Sequence, residues 1–261
     1  MTAANITVSE TPLVLYTLRR ADDALILGHR LSEWCGHAPM LEEDMALANM
    51  GLDLLGQARE LYSYAAKVEG RGNDEDKLAY LRDVRQYRNL LLLEQPNGDF
   101  ARTMVRQFFF AVFADLYWHA MMRSSDATLA AIAAKSEKES AYHVRHSSEW
   151  IVRLGDGTDE SHRRAQEAID LLWAFTGEMF ETCDSERGLI DAGIAVDPAT
   201  GRRYFASYAS ATAEGLFALL ALGVEPYDPR VAAARAWLVE RHPRIGHHEG
   251  IPESDPTGWQ D

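Results

Sequence analysis

Cysteine, basic residues and long apolar runs are all scarce in this sequence. Cys35 and Cys183 are the only cysteines among 261 residues, and neither stands in Cys-x-x-Cys spacing. Two isolated cysteines without this spacing give no signal of a disulfide framework or a zinc site, so we expect two buried thiols in a reducing compartment. The 26 basic residues are outnumbered by 40 acidic ones, which gives a formal net charge of −14. An acidic surface repels phosphate backbones, which argues against nucleic acid as a partner.

The sequence also lacks the marks of a membrane or secreted protein. Its longest dense apolar run, residues 108–118, contains Asp115 and falls short of the roughly 20 apolar residues that a membrane-spanning helix needs. No basic segment followed by an apolar stretch stands at the N-terminus, so no secretory signal is indicated. With 47% hydrophobic residues, the chain has enough apolar material for a sizeable core. We therefore expect a soluble, cytoplasmic protein.

Helix signals, in contrast, are abundant. Thr11 followed by Pro12 is typical of a helix start, and the first helix is predicted to run to Cys35. Acidic residues at 42–44 favour the start of a second helix, which is predicted to end at Gly70. Further helices are predicted over residues 76–93, 99–123, 126–154 and 158–180.

The second helix carries a near-3.6-residue repeat and two internal glycines. The repeat is typical of an amphipathic helix and consists of Leu41, Met45, Ala48, Leu52, Leu55, Arg59 and Tyr62. Gly51 and Gly56 each cost a helix about 1 kcal/mol relative to alanine. We therefore expect close packing contacts at these glycines.

Loop lengths predict how the long helices connect. The first two are joined by about five residues and the next two by about three, so each pair must form an antiparallel hairpin. About 30 residues separate the two hairpins, which is long enough to run the full height of a bundle. Two antiparallel helical hairpins joined by one long crossover form an all-α, ferritin-like helical bundle.

The C-terminal part has a different composition. We assign residues 1–185 to the bundle and residues 186–261 to an atypical helical extension that ends in an irregular tail. The sequence is loop-like from Ile190, and helical segments are predicted over residues 204–222 and 230–241. Whether the extension packs back on the bundle or is a fused segment stays open at this level.

A ferritin-like bundle raises the question of a di-iron centre. Di-iron members place a Glu on each of two helices and a Glu-x-x-His on each of the other two, all pointing inward. The fourth long helix has His143, but three residues before it stands Ser140 instead of Glu. The second helix has Leu54 and Gln57 at the corresponding spacing, so both of its ligands are missing. Glu139 would reach inward only if its helix carried a local bulge.

The remaining two helices offer little in place of these ligands. Counting back through the first hairpin from residues 54–57 leads to Asp22 and Asp23, so one carboxylate could survive at Asp23. Counting back through the second hairpin from residues 140–143 leads to residues 108–111, where aromatic rings would fill the space of a second iron. We therefore expect no metal, no cofactor and no catalytic residue, but a degenerate di-iron position. We also expect Asp23, Gln57 and His143 to face one another and to be hydrogen-bonded to each other, to Ser140 or to trapped water. The degenerate position consists of Asp23, Leu54, Gln57, Ser140 and His143.

Three long strings carry a family resemblance. They are LSEWCGHAPMLEEDMALANMGLDLLGQARELYSYAA (31–66), NLLLLEQPNGDFARTMVRQFF (89–109) and KESAYHVRHSSEWIVRLGDGTDES (138–161). Across about residues 12–185 the chain resembles the C subunit of the phenylacetyl-CoA epoxidase, the multicomponent ring-oxygenase of aerobic phenylacetate catabolism. The C-terminal part departs from that family.

The resemblance implies a non-catalytic structural subunit of a cytoplasmic, heteromeric complex. In that family the related A subunit is the catalytic oxygenase subunit, which holds the di-iron site and binds the CoA thioester, and it would be the partner of this chain. Six Trp, ten Tyr, nine Phe and eight Met exceed what five helices can place inward, which favours a buried interface. Two alternatives stay open. One is an independent di-iron or di-manganese oxidase that uses Asp23, Asp53, Glu139 and His143, and the other is a helical interaction protein outside the complex.

Overall fold

The computed structural model describes residues 6–202 and residue 205. Within this part the chain forms eight α-helices and no strand, so the predicted all-α class is confirmed. The helices are α1 Pro12–Ser32, α2 Leu41–Glu69, α3 Glu75–Tyr80, α4 Leu91–Glu94, α5 Phe100–Met121, α6 Ala127–Gly155, α7 Asp159–Trp173 and α8 Asp184–Asp191. Short 3₁₀ turns occupy Val84–Gln86, Gly177–Phe180 and Pro198–Gly201.

The ends of the long helices follow from local chemistry. Pro12 stands in the first turn of α1, where its missing N–H leaves no helical bond unmade. Gly70 ends α2 in the left-handed region at φ +68°, which residues with a Cβ rarely adopt. Asp126 accepts the N–H of Leu129 at the start of α6, as expected for an N-cap. These boundaries lie within a few residues of the predicted ones.

The described residues fall into two compact units. The first contains residues 6–97, 118–139 and 178–199, and its centre is the pair α1 and α2. The second contains residues 98–117, 140–177, 200–202 and 205.

The two helices of the first hairpin approach each other at two glycines. A Cβ atom added to Gly28 would lie 3.3 Å from the carbonyl oxygen of Gly51, and one added to Gly51 would lie 3.4 Å from the carbonyl oxygen of Gly28. The close contact expected at Gly51 is therefore present. Gly56 differs, because the nearest atom to an added Cβ is the Nζ of Lys135 at 3.9 Å.

Most residues of the sequence repeat on α2 do not lie on the buried side of that helix. The buried positions include Leu47, Met50, Leu54, Ala58, Leu61 and Tyr62. Of the repeat, Tyr62 belongs to this side, whereas Leu41, Met45 and Leu52 are exposed. An apolar repeat at helical spacing therefore marks an outward-facing row on α2.

The second hairpin is formed by α5 and α6, joined by residues 122–126. Near its turn, within the first unit, His119 Nδ1 lies 3.4 Å from Glu137 Oε1. At the other end, within the second unit, the rings of Phe100 and Trp150 meet edge to face with centroids 4.9 Å apart. These pairings make α5 and α6 antiparallel, as the short loop predicts.

The segment between the hairpins is not the one helix predicted over residues 76–93. It consists of α3, the 3₁₀ turn Val84–Gln86 and α4, with non-helical residues between them. The backbone N–H groups of Arg88 and Leu90 donate to the carboxylates of Asp22 and Asp23 on α1, both at 2.8 Å. Since these N–H groups donate to side chains of α1, they cannot form the backbone hydrogen bonds of a continuous helix. The crossover is therefore non-helical at these residues.

The start of the predicted extension contacts the rest of the chain in both units. Helix α8, absent from the sequence-based prediction, spans residues on both sides of position 185, and its Glu186 pairs with Arg19 at 3.2 Å. In the second unit, buried Phe205 contacts the rings of Phe109 and Trp173, with centroids 6.2 Å apart in each case. Apart from Phe205, the helical segments predicted over residues 204–222 and 230–241 lie outside the described residues. The boundary at residue 185 stays a prediction.

Two smaller expectations concern the cysteines and the membrane. Cys35 and Cys183 are free but exposed, so the expectation of buried thiols is wrong. Both stand at or beyond helix ends, where the chain lies at the surface. None of the helices in residues 6–202 combines the length and the apolar character needed to span a membrane.

Candidate functional site

The five residues of the degenerate di-iron position are all buried, each at most 3% exposed. Asp23 on α1 and Leu54 and Gln57 on α2 belong to the first unit, whereas Ser140 and His143 on α6 belong to the second. At these positions the burial agrees with the predicted inward direction of each side chain.

Gln57 is hydrogen-bonded to Glu139, a residue that helical spacing places to one side of the inward direction of α6. Its Nε2 donates to Oε2 of Glu139 at 2.8 Å, and the other oxygen of Glu139 lies 3.8 Å from the Nζ of Lys135. Helix α6 is continuously α-helical here, so Glu139 reaches α2 without the bulge that we expected to be necessary. Gln57 and Glu139 thus form a direct hydrogen bond between α2 and α6. In a di-iron bundle, the ligands from these two helices would bind the metal instead.

Asp23 binds the crossover. Its Oδ1 accepts the backbone N–H of Leu90 at 2.8 Å, and its Oδ2 lies 3.3 Å from Nη1 of Arg20. Burial raises the pKa of Asp23 to about 6, although Arg20 and the Leu90 hydrogen bond both act to lower it. Asp23 is thus hydrogen-bonded to the crossover and paired with its own helix, rather than bonded to Gln57, His143 or Ser140 as expected.

The preceding residue, Asp22, forms a buried network that sequence reasoning missed. Its carboxylate accepts the hydroxyl of Tyr62 at 2.6 Å and the N–H of Arg88 at 2.8 Å, and it forms a doubly hydrogen-bonded pair with Arg82. The Asp22 and Arg82 side chains are fully buried. Burial, together with the negative charge of Asp22, raises the pKa of Tyr62. Helix α1, helix α2 and the crossover thus meet at this one carboxylate.

Two acidic residues in succession were the available sequence signal for this network. Consecutive Asp residues in the middle of a mostly buried helix are unusual, because an unpaired buried charge is expensive. Apart from Arg20, however, their partners lie 40 to 67 positions further along the chain. A single sequence offers no local pattern that pairs residues so far apart.

In the second unit the candidate residues also lie in a closed interior. Ser140 and His143 are buried on α6, and the hydroxyl of Ser147 donates to the backbone carbonyl of His143 at 2.6 Å. On α5, Phe108, Phe109 and Phe110 are buried, as the sequence predicts.

A di-iron centre does not fit the side chains that are present. Iron in such sites needs several oxygen and nitrogen donors with free lone pairs. Leu54 has no donor atom, and at the expected ligand positions Gln57 and Ser140 offer only a neutral amide and a hydroxyl. Within the described residues, His, Cys, Asp and Glu side chains do not gather in groups of three or more that could hold a metal ion.

The first unit also contains an open cavity of about 540 Å³ between α2 and the start of α6. Gly56 forms part of its wall, which explains why this glycine has open space beside it. The cavity is lined by Gly56, Arg59, Glu60, Ser63, Tyr64, Lys67, Thr128, Ile132 and Lys135. Lys135 forms a 2.7 Å ion pair with Glu60, and Arg59 lies 3.6 Å from Glu75, so two of the basic groups at this cavity have acidic partners.

Comparison with known proteins places these observations in a family. The family described as phenylacetic acid catabolic protein matches residues 1–219. A curated relative, the C subunit of the 1,2-phenylacetyl-CoA epoxidase of Escherichia coli K12, is 55% identical over 190 residues. That match covers 73% of this chain and 76% of the relative.

Proposed function

The chain belongs to the phenylacetic acid catabolic protein family, and on this premise we propose that it is a non-catalytic structural subunit of a phenylacetyl-CoA epoxidase complex. In this role it binds the di-iron catalytic subunit of the complex, which we call the catalytic subunit below, and turns over no CoA thioester by itself. We place the complex in the cytoplasm, where CoA thioesters are formed and used.

One observation carries the proposal, namely the state of the degenerate di-iron position. The groups that a catalytic bundle would direct at two irons are here either apolar or already bound within the protein. Leu54 packs in the core, Gln57 donates to Glu139, and Asp23 accepts from Leu90. Oxygen chemistry therefore requires a second subunit that holds the metal.

A subunit without a reactive centre can still affect catalysis through geometry. Catalytic groups act best when they are held in place before the reaction, and the supporting residues need not touch the substrate. The buried Asp22–Arg82 pair and the Gly28–Gly51 contact hold α1, α2 and the crossover together. We infer that this rigid unit provides a fixed surface that orders the helices of its catalytic partner.

Co-purification with the catalytic subunit is the direct test. The two purified chains are mixed at micromolar concentration and examined by size-exclusion chromatography with light scattering. We expect one heteromeric peak, and we expect turnover of phenylacetyl-CoA to require both chains together with the remaining components of the complex. Two separate peaks, with no effect of this chain on turnover, would favour the helical interaction protein outside the complex.

Metal analysis separates the proposal from the independent oxidase. Chain purified alone from iron-replete cells should contain far less than one iron or manganese per molecule, because Leu54 and Gln57 replace two ligands and Ser140 replaces a third. Plasma mass spectrometry measures this directly, and the catalytic subunit prepared in the same way is the positive control. Two metal ions per chain, lost on substitution of Glu139 or His143, would instead support the oxidase.

A further inference from the structure

An exposed apolar row runs along the N-terminal half of α2. It consists of Leu41, Met45, Ala48, Leu52 and Leu55, which we call the α2 stripe. Spacings of four, three, four and three residues place all five on one side of a helix. Leu41, Met45 and Leu52 are 72%, 59% and 65% exposed, while Ala48 and Leu55 are half-buried. A contiguous apolar row of this kind on a protein surface is typical of an interaction site.

The α2 stripe is presented by a rigid support. The other side of α2 packs on α1, where Gly28 and Gly51 bring the two backbones into close contact. Leu55 lies at the edge of the stripe and also reaches α1, because its Cγ would lie 3.3 Å from a Cβ added to Gly28. Leu47, Met50 and Leu54 on that side are buried. Because a preformed surface loses little conformational freedom on association, such a row can contribute more to affinity than the same side chains on a loose loop.

The charges around the α2 stripe differ at its two ends. Near its start, Glu42 is exposed and Asp44 is half-buried beside the row. Beyond its end, Arg59 continues the same row with a side chain that is 76% exposed and lies 3.6 Å from Glu75. The cavity that follows is lined by Lys67 and by Lys135, which pairs with Glu60. A partner that fits this surface needs an apolar helical face, a basic group opposite Glu42 and an acidic group opposite Arg59.

The size of the row indicates a folded partner. From Leu41 to Leu55 the stripe spans roughly 21 Å of helix. Five side chains fall short of the about 800 Å² per partner that stable complexes bury, so the partner must also cover Arg59 and the mouth of the cavity. A second copy of this chain is disfavoured, because two molecules with a formal charge of −14 each repel one another.

We propose that the α2 stripe is the surface that binds the catalytic subunit, by packing against an amphipathic helix of that partner. This proposal rests on the partnership proposed above and adds the surface and the chemistry of its occupant. The apolar face of the partner helix covers Leu41, Met45 and Leu52. Its charged flanks pair with Glu42 at one end and with Arg59 at the other.

The test compares two leucines that differ in their place on the surface. Leu52→Glu introduces a charge into the α2 stripe, and Leu171→Glu makes the same change at a 48% exposed position on α7. Affinity for the catalytic subunit is measured by titration calorimetry, and thermal unfolding of each variant checks that it is folded. We expect Leu52→Glu to weaken binding roughly tenfold or more, since it would bury an unpaired charge, and Leu171→Glu to bind as the unsubstituted chain does.

Charge variants test the orientation of the partner. Glu42→Lys and Arg59→Glu should each weaken binding, and the loss should shrink as ionic strength rises. Neither side chain is buried, so both variants should retain the thermal stability of the parent chain.

The outcomes distinguish the surface from the partnership. If the parent chain binds its catalytic partner and Leu52→Glu binds equally well, the α2 stripe is not the interface, although the partnership stands. If the parent chain fails to bind this partner, both proposals fall. If the chain alone is dimeric and Leu52→Glu makes it monomeric without weakening the heteromer, the stripe joins two copies and the proposal is wrong.

Discussion

Two glycines of the first hairpin differ in what an added methyl group would meet. At Gly28 a Cβ would lie 3.3 Å from both the carbonyl oxygen of Gly51 and Cγ of Leu55, whereas at Gly56 its nearest neighbour would be Nζ of Lys135 at an unstrained 3.9 Å. We expect Gly56→Ala to raise the free energy of unfolding by about 0.5–1 kcal/mol through helix propensity. Gly28→Ala should lower it by about 1–3 kcal/mol, because it pushes α1 and α2 apart. Urea unfolding of both variants checks this, and equal effects would contradict the glycine contact.

Asp23 gives the protein a pH-dependent contribution to stability. Its pKa is about 6 in the folded state against an ordinary value of 3.8, so the folded state binds its proton more tightly than the unfolded state does. The stabilisation from this proton is complete below pH 3.8 and is lost as the pH rises through 6.

We expect Asp23→Asn to remove this dependence, because the amide oxygen can still accept from Leu90 and never ionises. From about pH 4 to pH 8 the stability of the variant should rise relative to the parent chain by about 1–3 kcal/mol. Comparing the two chains by urea unfolding across this range cancels the titration of all other groups. A difference that is constant with pH would show that Asp23 keeps an ordinary pKa when folded.

Burial at single positions was more predictable than the partners of those positions. Leu54, Gln57, Ser140 and His143 were expected inside, and they are, because helical periodicity fixes the inward direction. The bond between Gln57 and Glu139 was not expected. The Cα of Glu139 departs from the inward direction of α6 by roughly 40°. Its side chain is long enough to make up this difference, so helical periodicity alone does not determine which residue Glu139 contacts.

At the scale of elements, the long helices and their hairpins were predictable and the crossover was not. Proline, glycine and acidic caps mark the ends of α1, α2 and α6 in the sequence itself. Residues 76–93 have helical composition, but the N–H groups of Arg88 and Leu90 are bound by carboxylates more than 60 positions away. Local propensity is overridden by such distant contacts.

We expect the crossover to detach when its central carboxylate is removed. Asp22→Ala leaves the fully buried Arg82 without its ion-pair partner, which should lower the free energy of unfolding by about 3–5 kcal/mol. Hydrogen exchange at the amide of Arg88 should accelerate as well, since it donates to Asp22. Glu60→Gln is the matched control, because it breaks a solvent-exposed pair with Lys135 and should change stability by less than about 1 kcal/mol. Similar losses of unfolding free energy in the two variants would show that the buried Asp22 network contributes no more than the exposed ion pair does.

At the scale of the whole molecule, fold class and family were both readable from the sequence. Loop lengths distinguished two hairpins from four serially connected helices, and the strings in residues 31–161 identified the family before any contact was known. The α2 stripe marks the limit of such inference. Its repeat was visible in the sequence, but a repeat does not say whether the apolar row faces the core of its own chain or the surface of another.

The place where the fold ends is also a question for the whole chain. In the first unit, residues just beyond 185 contact earlier ones: Glu186 pairs with the nearly buried Arg19, and the N–H of Ser125 donates to the carbonyl of Gly193 at 2.8 Å. A chain that stops at residue 185 would cut α8 and leave Arg19 without its acidic partner. We therefore expect the free energy of unfolding of chain 1–185 to be at least about 3 kcal/mol lower than that of the full chain.

Chain 1–219, which keeps the whole segment matched by the family, is the control and should retain the midpoint of thermal unfolding of the full chain. Calorimetry of the three lengths measures this. Equal stability of chain 1–185 and the full chain would mean that the bundle is complete at residue 185 and that the contacts of Glu186 and Gly193 contribute nothing to it. A large loss in chain 1–219 as well would mean that the segment after residue 219 also belongs to the folded unit.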